Sequence, residues 1–274
     1  MDYLSRESAP FSDDLWGKID DTVVNTASRV LIGRRFLDVF GPLGAGIQSI
    51  SSDNLDESGS IEEETSEGIS RIKNRKYEEI PLVYSDFTLL WRDIENSEKL
   101  GYPLDLSAAV SAAEACARKE DKLIFLGNEN FGYEGIFNAK GTNKVEKSEW
   151  KSGENPFTDI ASAVEILTKQ GIYGRLALIV SPDLYLQMQR IQPGTGVLEI
   201  DRIGKLLNGN IFTSPVLGTN KGALLCTEPN YIDIVIGQDI ATAYLELREL
   251  NHILRVLETV LLRIKNRKSI VIFE

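Results

Sequence analysis

The sequence holds one histidine, His252, and two cysteines, Cys116 and Cys226. A single imidazole excludes any metal centre or relay that draws two histidines from one chain. The cysteines form no C-x-x-C pair, which removes zinc ribbons and dithiol motifs. No apolar run approaches the roughly 18 residues of a membrane span. No basic-then-apolar leader opens the chain at Met1-Asp2-Tyr3-Leu4-Ser5-Arg6-Glu7, and Asn-x-Ser/Thr sequons are absent. A soluble, cytoplasmic protein with reduced thiols and no membrane partner is expected. Basic charge is scarce too: 30 Lys and Arg face 41 Asp and Glu, a net charge of −11. Affinity for nucleic acid rests on basic side chains displacing counterions, so no nucleic-acid partner is expected. The P-loop, G-x-S-x-G, H-E-x-x-H and EF-hand spacings are all missing. Gly41-Pro42-Leu43-Gly44-Ala45-Gly46 is glycine-rich but lacks G-x-G-x-x-G order, and reads as a flexible corner.

What is present is a chain of 274 residues, 42% hydrophobic, long enough to bury a large core without cross-links. Ser12 is placed to cap a helix over 13–32, with Leu15, Ile19, Val23, Ala27 and Leu31 as its apolar stripe. Phe36 to Phe40 reads as a short strand, as do Pro81–Tyr84 and Phe87–Trp91. Ser107 opens a second long helix to about Leu126, with Ala108, Ala109, Ala112, Ala113, Cys116 and Ala117 as a small-residue face. Asn155-Pro156 starts a third, closed by Gly171. Leu176–Val180 is a buried strand, followed by helices over 183–191 and 199–207. From Asn210 the chain turns β-rich, with strands at 211–213, 223–227, 231–236, 240–247, 253–264 and 269–273. Helices and strands mix without strict alternation, so the fold class is α+β.

Residues 48–80 differ in character. Asp53, Asp56, Glu57, Glu62, Glu63, Glu64 and Glu67 are followed by Arg71, Lys73, Arg75 and Lys76. The segment is either a solvated loop or an extended two-armed excursion that needs a partner surface. Glu62, Glu63 and Glu64 point in different directions, so no metal site is expected there. His252 reads as a hydrogen-bonded structural group, Cys116 and Cys226 as small buried hydrophobes, and Trp91 as core packing. Nothing assembles a catalytic constellation, and no enzyme is expected.

A set of collinear segments resembles the encapsulin family, shell proteins with the fold of HK97-type phage capsids. They are Gly33–Val39, Gly41-Pro42, Asp86–Leu89, Asp105–Ser107, Glu120–Gly127, Gly135-Ile136, Leu178–Pro182, Ile236–Asp239 and Glu258-Thr259. Asn251-His252, Arg255-Val256 and Leu262–Ile264 look closest to the firmicute type with an iron-mineralising, ferritin-like cargo. The resemblance implies a self-assembling icosahedral homo-oligomer, T=4 or T=1, that captures cargo by a C-terminal targeting peptide. It divides the chain into an N-terminal helix and start of a P-domain (1–47), an E-loop (48–80), a P-domain with a long helix (81–135), an A-domain (136–228) and strands returning to the P-domain (229–274). Carried over to this chain, the peptide site is Arg34, Asp38, Val39, Asp233 and Ile234, with an Arg34–Asp38 ion pair as the structural alternative. On that reading Ile234→Asp would strip cargo from intact shells. Gln192, Pro193, Gly194, Thr195 and Gly196 become a five-fold pore loop. Glu62, Glu63, Glu64, Arg71, Lys73 and Arg75 become intersubunit contacts. No cofactor is expected: flavin-binding members carry a tryptophan one position beyond Trp91, where this chain has Arg92, and iron would be held by the cargo. A phage major capsid protein and a hydrolase or bacteriocin-like enzyme are the alternatives.

Overall fold

The computed structural model describes residues 3–53, 62–73, 75–192, 194 and 196–274. Helix α1 (Asp13–Val30) begins at the expected cap, where the Ser12 hydroxyl accepts a hydrogen bond from Leu15 N, and buries Leu15, Trp16, Ile19, Val23 and Ala27. The strand expected over 36–40 is only β1 (Val39–Phe40), because Gly33–Arg35 forms a 3-10 turn and Phe36 and Leu37 point into the core. The excursion is a pair of antiparallel ladders. Strand β2 (Ser49–Asp53) and β3 (Glu63–Ser66) lead out, and β4 (Ile69–Ile72) and β5 (Arg75–Glu79) return, with β2 on β5 and β3 on β4. Glu67 and Gly68 turn the tip with φ of 49° and 78°, the left-handed pair that suits a two-residue hairpin loop.

Strand β6 (Leu82–Leu89) is followed by α2 (Trp91–Leu100). That helix was hidden in the sequence because Leu89-Leu90-Trp91 continues the apolar, β-prone composition of the strand before it. Its signals are the Glu95–Lys99 pair at i,i+4 and Gly101, which ends it at φ 71°. Then come α3 (Ser107–Leu126), β7 (Asn143–Val145), α4 (Asn155–Lys169), β8 (Leu176–Val180), α5 (Pro182–Met188), α6 (Glu199–Leu206) and β9 (Ile211–Thr213). Strands β10 (Gly222–Cys226), β11 (Ile232–Ile236), β12 (Ala241–Arg248), β13 (Asn251–Ile264) and β14 (Ile270–Phe273) complete the chain. The class is α+β, as expected. Helix α5 stops at Met188, short of Ile191, which instead bridges Leu198 across the 192–197 loop.

Two five-stranded sheets organise these elements. In the first, the 14-residue β13 lies between β12 and β6 over its first half and against β11 over its second, with β1 parallel to β11 at the edge. The second runs β7-β14-β10-β8-β9. Strand β14 therefore belongs to the second sheet. Within 229–274, β11–β13 lie in the first sheet, whereas the continuous apolar run of 270–273 suits a site covered on both faces.

The second sheet is such a site. Ala177, Ile179, Ala223, Leu225, Ile270 and Ile272 face the core shared with α1, α3 and the first sheet. Their neighbours Leu178, Val180, Leu224, Cys226, Val271 and Phe273 face a second core under α4, α5 and α6. Period-two alternation thus sorts one strand's side chains into two cores.

Helix α3 is the spine between the sheets. Ala109, Ala112, Ala113, Cys116 and Ala117 are buried, and the small face lets α1 pack closely on one side and β6 with β13 on the other. Gly127, at φ 66°, ends it beside Gly135: a Cβ on Gly135 would sit 2.3 Å from Gly127 N, so neither position has room for a side chain. Ala113→Leu adds three heavy atoms where none fit. It should destabilise the fold by about 1–3 kcal/mol or more, seen as a lower denaturant midpoint.

Candidate functional site

The residues that carry the resemblance converge in space. Arg34, in the 3-10 turn after α1, donates from Nε and Nη2 to both oxygens of Glu120 on α3, at 2.8 and 2.7 Å. The same Nη2 reaches Glu258 on β13 at 2.6 Å, and Nη1 reaches Asp239 in the β11–β12 turn at 2.7 Å. Glu120 and Glu258 side chains are 0% exposed and Arg34 is 18% exposed. Beside them Asp121 accepts the backbone N–H groups of Ile32 and Gly33 at 3.0–3.1 Å, closing the exit of α1. The Thr259 hydroxyl accepts Gln238 N at 2.7 Å, and Gly237 lies so close that a Cβ would come 2.5 Å from that oxygen. None of Glu120, Asp121, Asp239 or Glu258 was expected as a functional position. The signal available was their place inside the matching segments.

Burial dominates the electrostatics here. Desolvation alone would lower the Arg34 pKa, but the hydrogen bonds and charge of Glu120, with Glu258, raise it. Burial, then the facing Glu120, pushes the Glu258 carboxyl well above the ordinary range. Burial also lifts Asp121 to about 6, against the two N–H groups that favour its charge. Desolvation raises the Cys116 thiol, whose sulfur lies 3.9 Å from Glu258 Oε1, so it packs as an inert small hydrophobe. His252 is likewise structural: buried, 3.3 Å from the Tyr244 hydroxyl, against the Phe11 ring, and with its pKa lowered by burial.

The residues expected to form a peptide site separate into two layers. Arg34 and Asp38 do not pair with each other; Asp38 pairs instead with Arg175 at 2.7 Å. Val39 pairs with Ile234 in the parallel β1–β11 register and is 44% exposed, next to Phe40 under the Arg263 guanidinium. Ile234 and Asp233 lie inside the fold, the latter bonded to Arg263 and Lys265. The expectation that Ile234 offers apolar surface is therefore corrected: a central strand buried on both faces turns it inward, and Ile234→Asp would put a charge into the core.

In the segment expected to form a pore loop, Gln192 is buried and bonded to Arg202 and to Val197 O. Gly194 and Gly196 are described, with φ of 83° and 68°; Pro193 and Thr195 lie outside the described residues. Of the excursion's acids, 54–61 also lie outside them. Glu62 pairs with Lys73 and Glu64 with Arg71 across the hairpin, while Glu63 accepts the Ser70 hydroxyl, so the two arms engage each other. Arg75 is paired to Asp53 in the β2–β5 register. The glycine-rich corner at 41–46 is fastened rather than flexible, with Leu43 N and Gly44 N donating to Ile236 O and Gly237 O. Trp91 is 38% exposed under Arg92, not in the core, because it opens α2 at the surface. Among the described residues no group of His, Cys, Asp and Glu could hold a metal ion, and no helix is long and apolar enough to cross a membrane.

A family model described as "Encapsulating protein for peroxidase" matches residues 1–261. The type 1 encapsulin shell protein EncA of Myxococcus xanthus is 39% identical over 279 residues, covering 100% of this chain and 96% of that protein. A diheme-cytochrome-encapsulin shell fusion protein of Kuenenia stuttgartiensis is 38% identical, over 94% of this chain and 72% of its own. A ferritin-like-encapsulin shell fusion protein of Pyrococcus furiosus is 24% identical, over 74% and 55%. Among solved structures, a virus-like particle from Pyrococcus furiosus superposes with a TM-score of 0.77 at 21% identity, over 95% of this chain and 100% of that one. The capsid of Myoviridae phage XM1 gives 0.61 at 13% identity, over 86% and 88%, a likeness of fold alone.

Two outcomes test the buried network. Arg34→Ala leaves two buried carboxylates without their cation and should cost roughly 3–5 kcal/mol, read as loss of soluble protein or a large fall in denaturant midpoint. The second concerns pH. Glu258 and Asp121 bind protons more tightly folded than unfolded, so their contribution is fully present below the ordinary carboxylate range and is lost as pH rises through the folded values, about 6 for Asp121. Glu258→Gln keeps the shape and removes one of these acids. Its melting temperature should fall less than the parent's as pH is raised from about 4 to about 8.

Proposed function

The chain belongs to the encapsulin family, shell proteins whose copies assemble around an enclosed cargo, and from that premise we propose that its cargo is a ferritin-like, iron-storing protein held by a C-terminal targeting peptide. The role of the chain itself is structural and not catalytic, as in its relatives. The fold is that of HK97-type capsids. The ferritin-like cargo is supported by the fusion relative in which such a domain and the shell share one polypeptide, and by the segments around Asn251-His252 and Glu258 that resemble the iron-cargo type.

Peptide docking rests on the exposed layer of the site. Val39 and Phe40 offer half-buried apolar area, and the Asp38–Arg175 pair stands beside them to set register. Asp233 and Ile234 act from below by fixing β1 on β11, and Arg34 by holding the turn that leads into it. The excursion over 48–80 is the E-loop, and its hairpin at Glu62, Glu63, Glu64, Arg71 and Lys73, with Arg75 on β5 behind it, presents a charged ribbon to a neighbouring copy. The loop over 192–196 lines an opening without fixed charge at its glycines. A T=4 shell in the cytoplasm is the assembly that fits the iron-cargo type, with T=1 the smaller alternative.

The observation that carries the docking reading is the half-exposed apolar edge at Val39, flanked by a charge pair whose members come from different parts of the chain. Val39→Arg should lower the cargo-to-shell ratio in purified particles several-fold and leave particle size unchanged, as measured by quantitative mass spectrometry and electron microscopy of shells from the native host. An unchanged ratio in intact shells places docking elsewhere.

A further inference from the structure

Strand β12 ends the order β1-β11-β13-β12, so among the described residues one side of this eight-residue strand has no strand beside it. Such an edge is a template for another chain, because its N–H and C=O groups stand in a row without ladder partners. Here the first residues of the chain cover it. Leu4 O accepts Tyr244 N at 2.9 Å, and Arg6 Nε donates to Thr242 O at 3.0 Å. The cover meets β12 beside the point where its pairing with β13 shifts register, between Tyr244 and Glu246.

Arg6 does more than reach the edge. Its Nη1 and Nη2 donate to the two oxygens of Asp20 on α1, both at 2.7 Å, and the guanidinium lies 4.7 Å from the centre of the Trp16 ring. One side chain therefore ties this segment to α1 and to β12 at once, through its donor fork and its cationic face. Farther along, Phe11 precedes the Ser12 cap, and its ring centre is 5.4 Å from that of Trp16, the staple partner in the first helical turn. Phe11 also meets the Tyr244 and His252 rings, so the root of the segment is packed on the core. Beyond that root none of residues 3–10 is buried, and Ser5 turns the chain at a left-handed φ of 51°. Few buried apolar contacts and part-exposed hydrogen bonds are the marks of a segment that opens locally at small cost.

We propose that residues 3–10 are a latch over the open edge of β12, rooted at Phe11 and pinned by Arg6, whose role is to keep that edge from pairing with a strand of another chain. The directional bonds of the latch go to Thr242 O and Tyr244 N, groups that an incoming strand would use. It also sets a charged side chain along the edge, a common protection against edge-to-edge association. With Arg6 gone, the exposed segment keeps only its root, and the edge opens. The device belongs to the folded subunit and is independent of what the shell encloses.

The test compares full-length protein with Arg6→Ala and Asp20→Asn by hydrogen-exchange mass spectrometry; the second variant leaves the sequence of the latch intact. Both should speed exchange in fragments over 241–248 by about tenfold and leave fragments over α4, 155–169, at the parent's rate. On agitation both should form thioflavin-positive aggregates several-fold faster than the parent. Lys18→Ala, which breaks an exposed pair with Asp14 on the same helix, should match the parent in both measurements. Unchanged exchange over 241–248 in both variants would overturn the inference, because the edge would then be closed without the pin. Exchange that rises equally over 155–169 would do so too, as a general loss of stability. Faster exchange over 241–248 with no gain in aggregation would overturn the guarding role.

Discussion

One guanidinium holds three parts of the chain in register. Arg34 leaves the end of α1 and meets carboxylates from α3, from β13 and from the β11–β12 turn. A planar fork with five donors can serve several acids at once in a fixed geometry, whereas a lysine has three donors on one freely rotating nitrogen. Without it, Glu120 and Glu258 would be buried with no cation to offset carboxylate charge, which the interior penalises by about several kcal/mol per ion. Burial, and then the facing Glu120, explain why Glu258 holds its proton so tightly against the pull of Arg34. An apolar triad of similar volume could pack as well, but it would not specify which turn meets which strand; directional hydrogen bonds do.

That tie positions the rest. With the exit of α1 fixed by Arg34 and by Asp121 on the Ile32 and Gly33 amides, the chain enters β1 alongside β11, and the glycine-rich corner is clamped onto the end of β11. Strand β13 carries the load between regions because it pairs with β12, β6 and β11 in turn. The second sheet, covered on both faces, then joins the two cores across α3 and α4. From this body the β3–β4 hairpin and the β12–β13 turn project into solvent. Their exposed ion pairs add little stability each, about 0.2–1 kcal/mol, and matter more for shape. For a protein whose work is to fit copies of itself together, rigidity inside and complementary surfaces outside are the functional requirements.

Much of the local structure was legible. Ser12, the stripe from Leu15 to Leu31, the small face of α3 and the Asn155-Pro156 start are short-range signals, and each element formed where its signal stood. The run over 253–264 is a strand because flanking strands on both sides pair with it. Helix α2 was missed because its first residues continue a β-prone run and its identity depends on where the sheet ends. Of the half-exposed layer at β1, the resemblance named Val39 and Asp38. Its partner Arg175 comes 137 residues later, a pairing that nothing local announces.

The sequence by itself determined the class, the family and the positions of the long elements, because periodicity, capping and collinear motifs are properties of neighbouring residues. Only the tertiary structure decided which acid meets Arg34, that Ile234 and Asp233 face inward, that Trp91 faces outward, and that β14 joins the second sheet. Those outcomes depend on contacts between residues tens to hundreds of positions apart. They are settled when burial has to satisfy every charge and every strand edge at once, a condition no stretch of sequence can express alone.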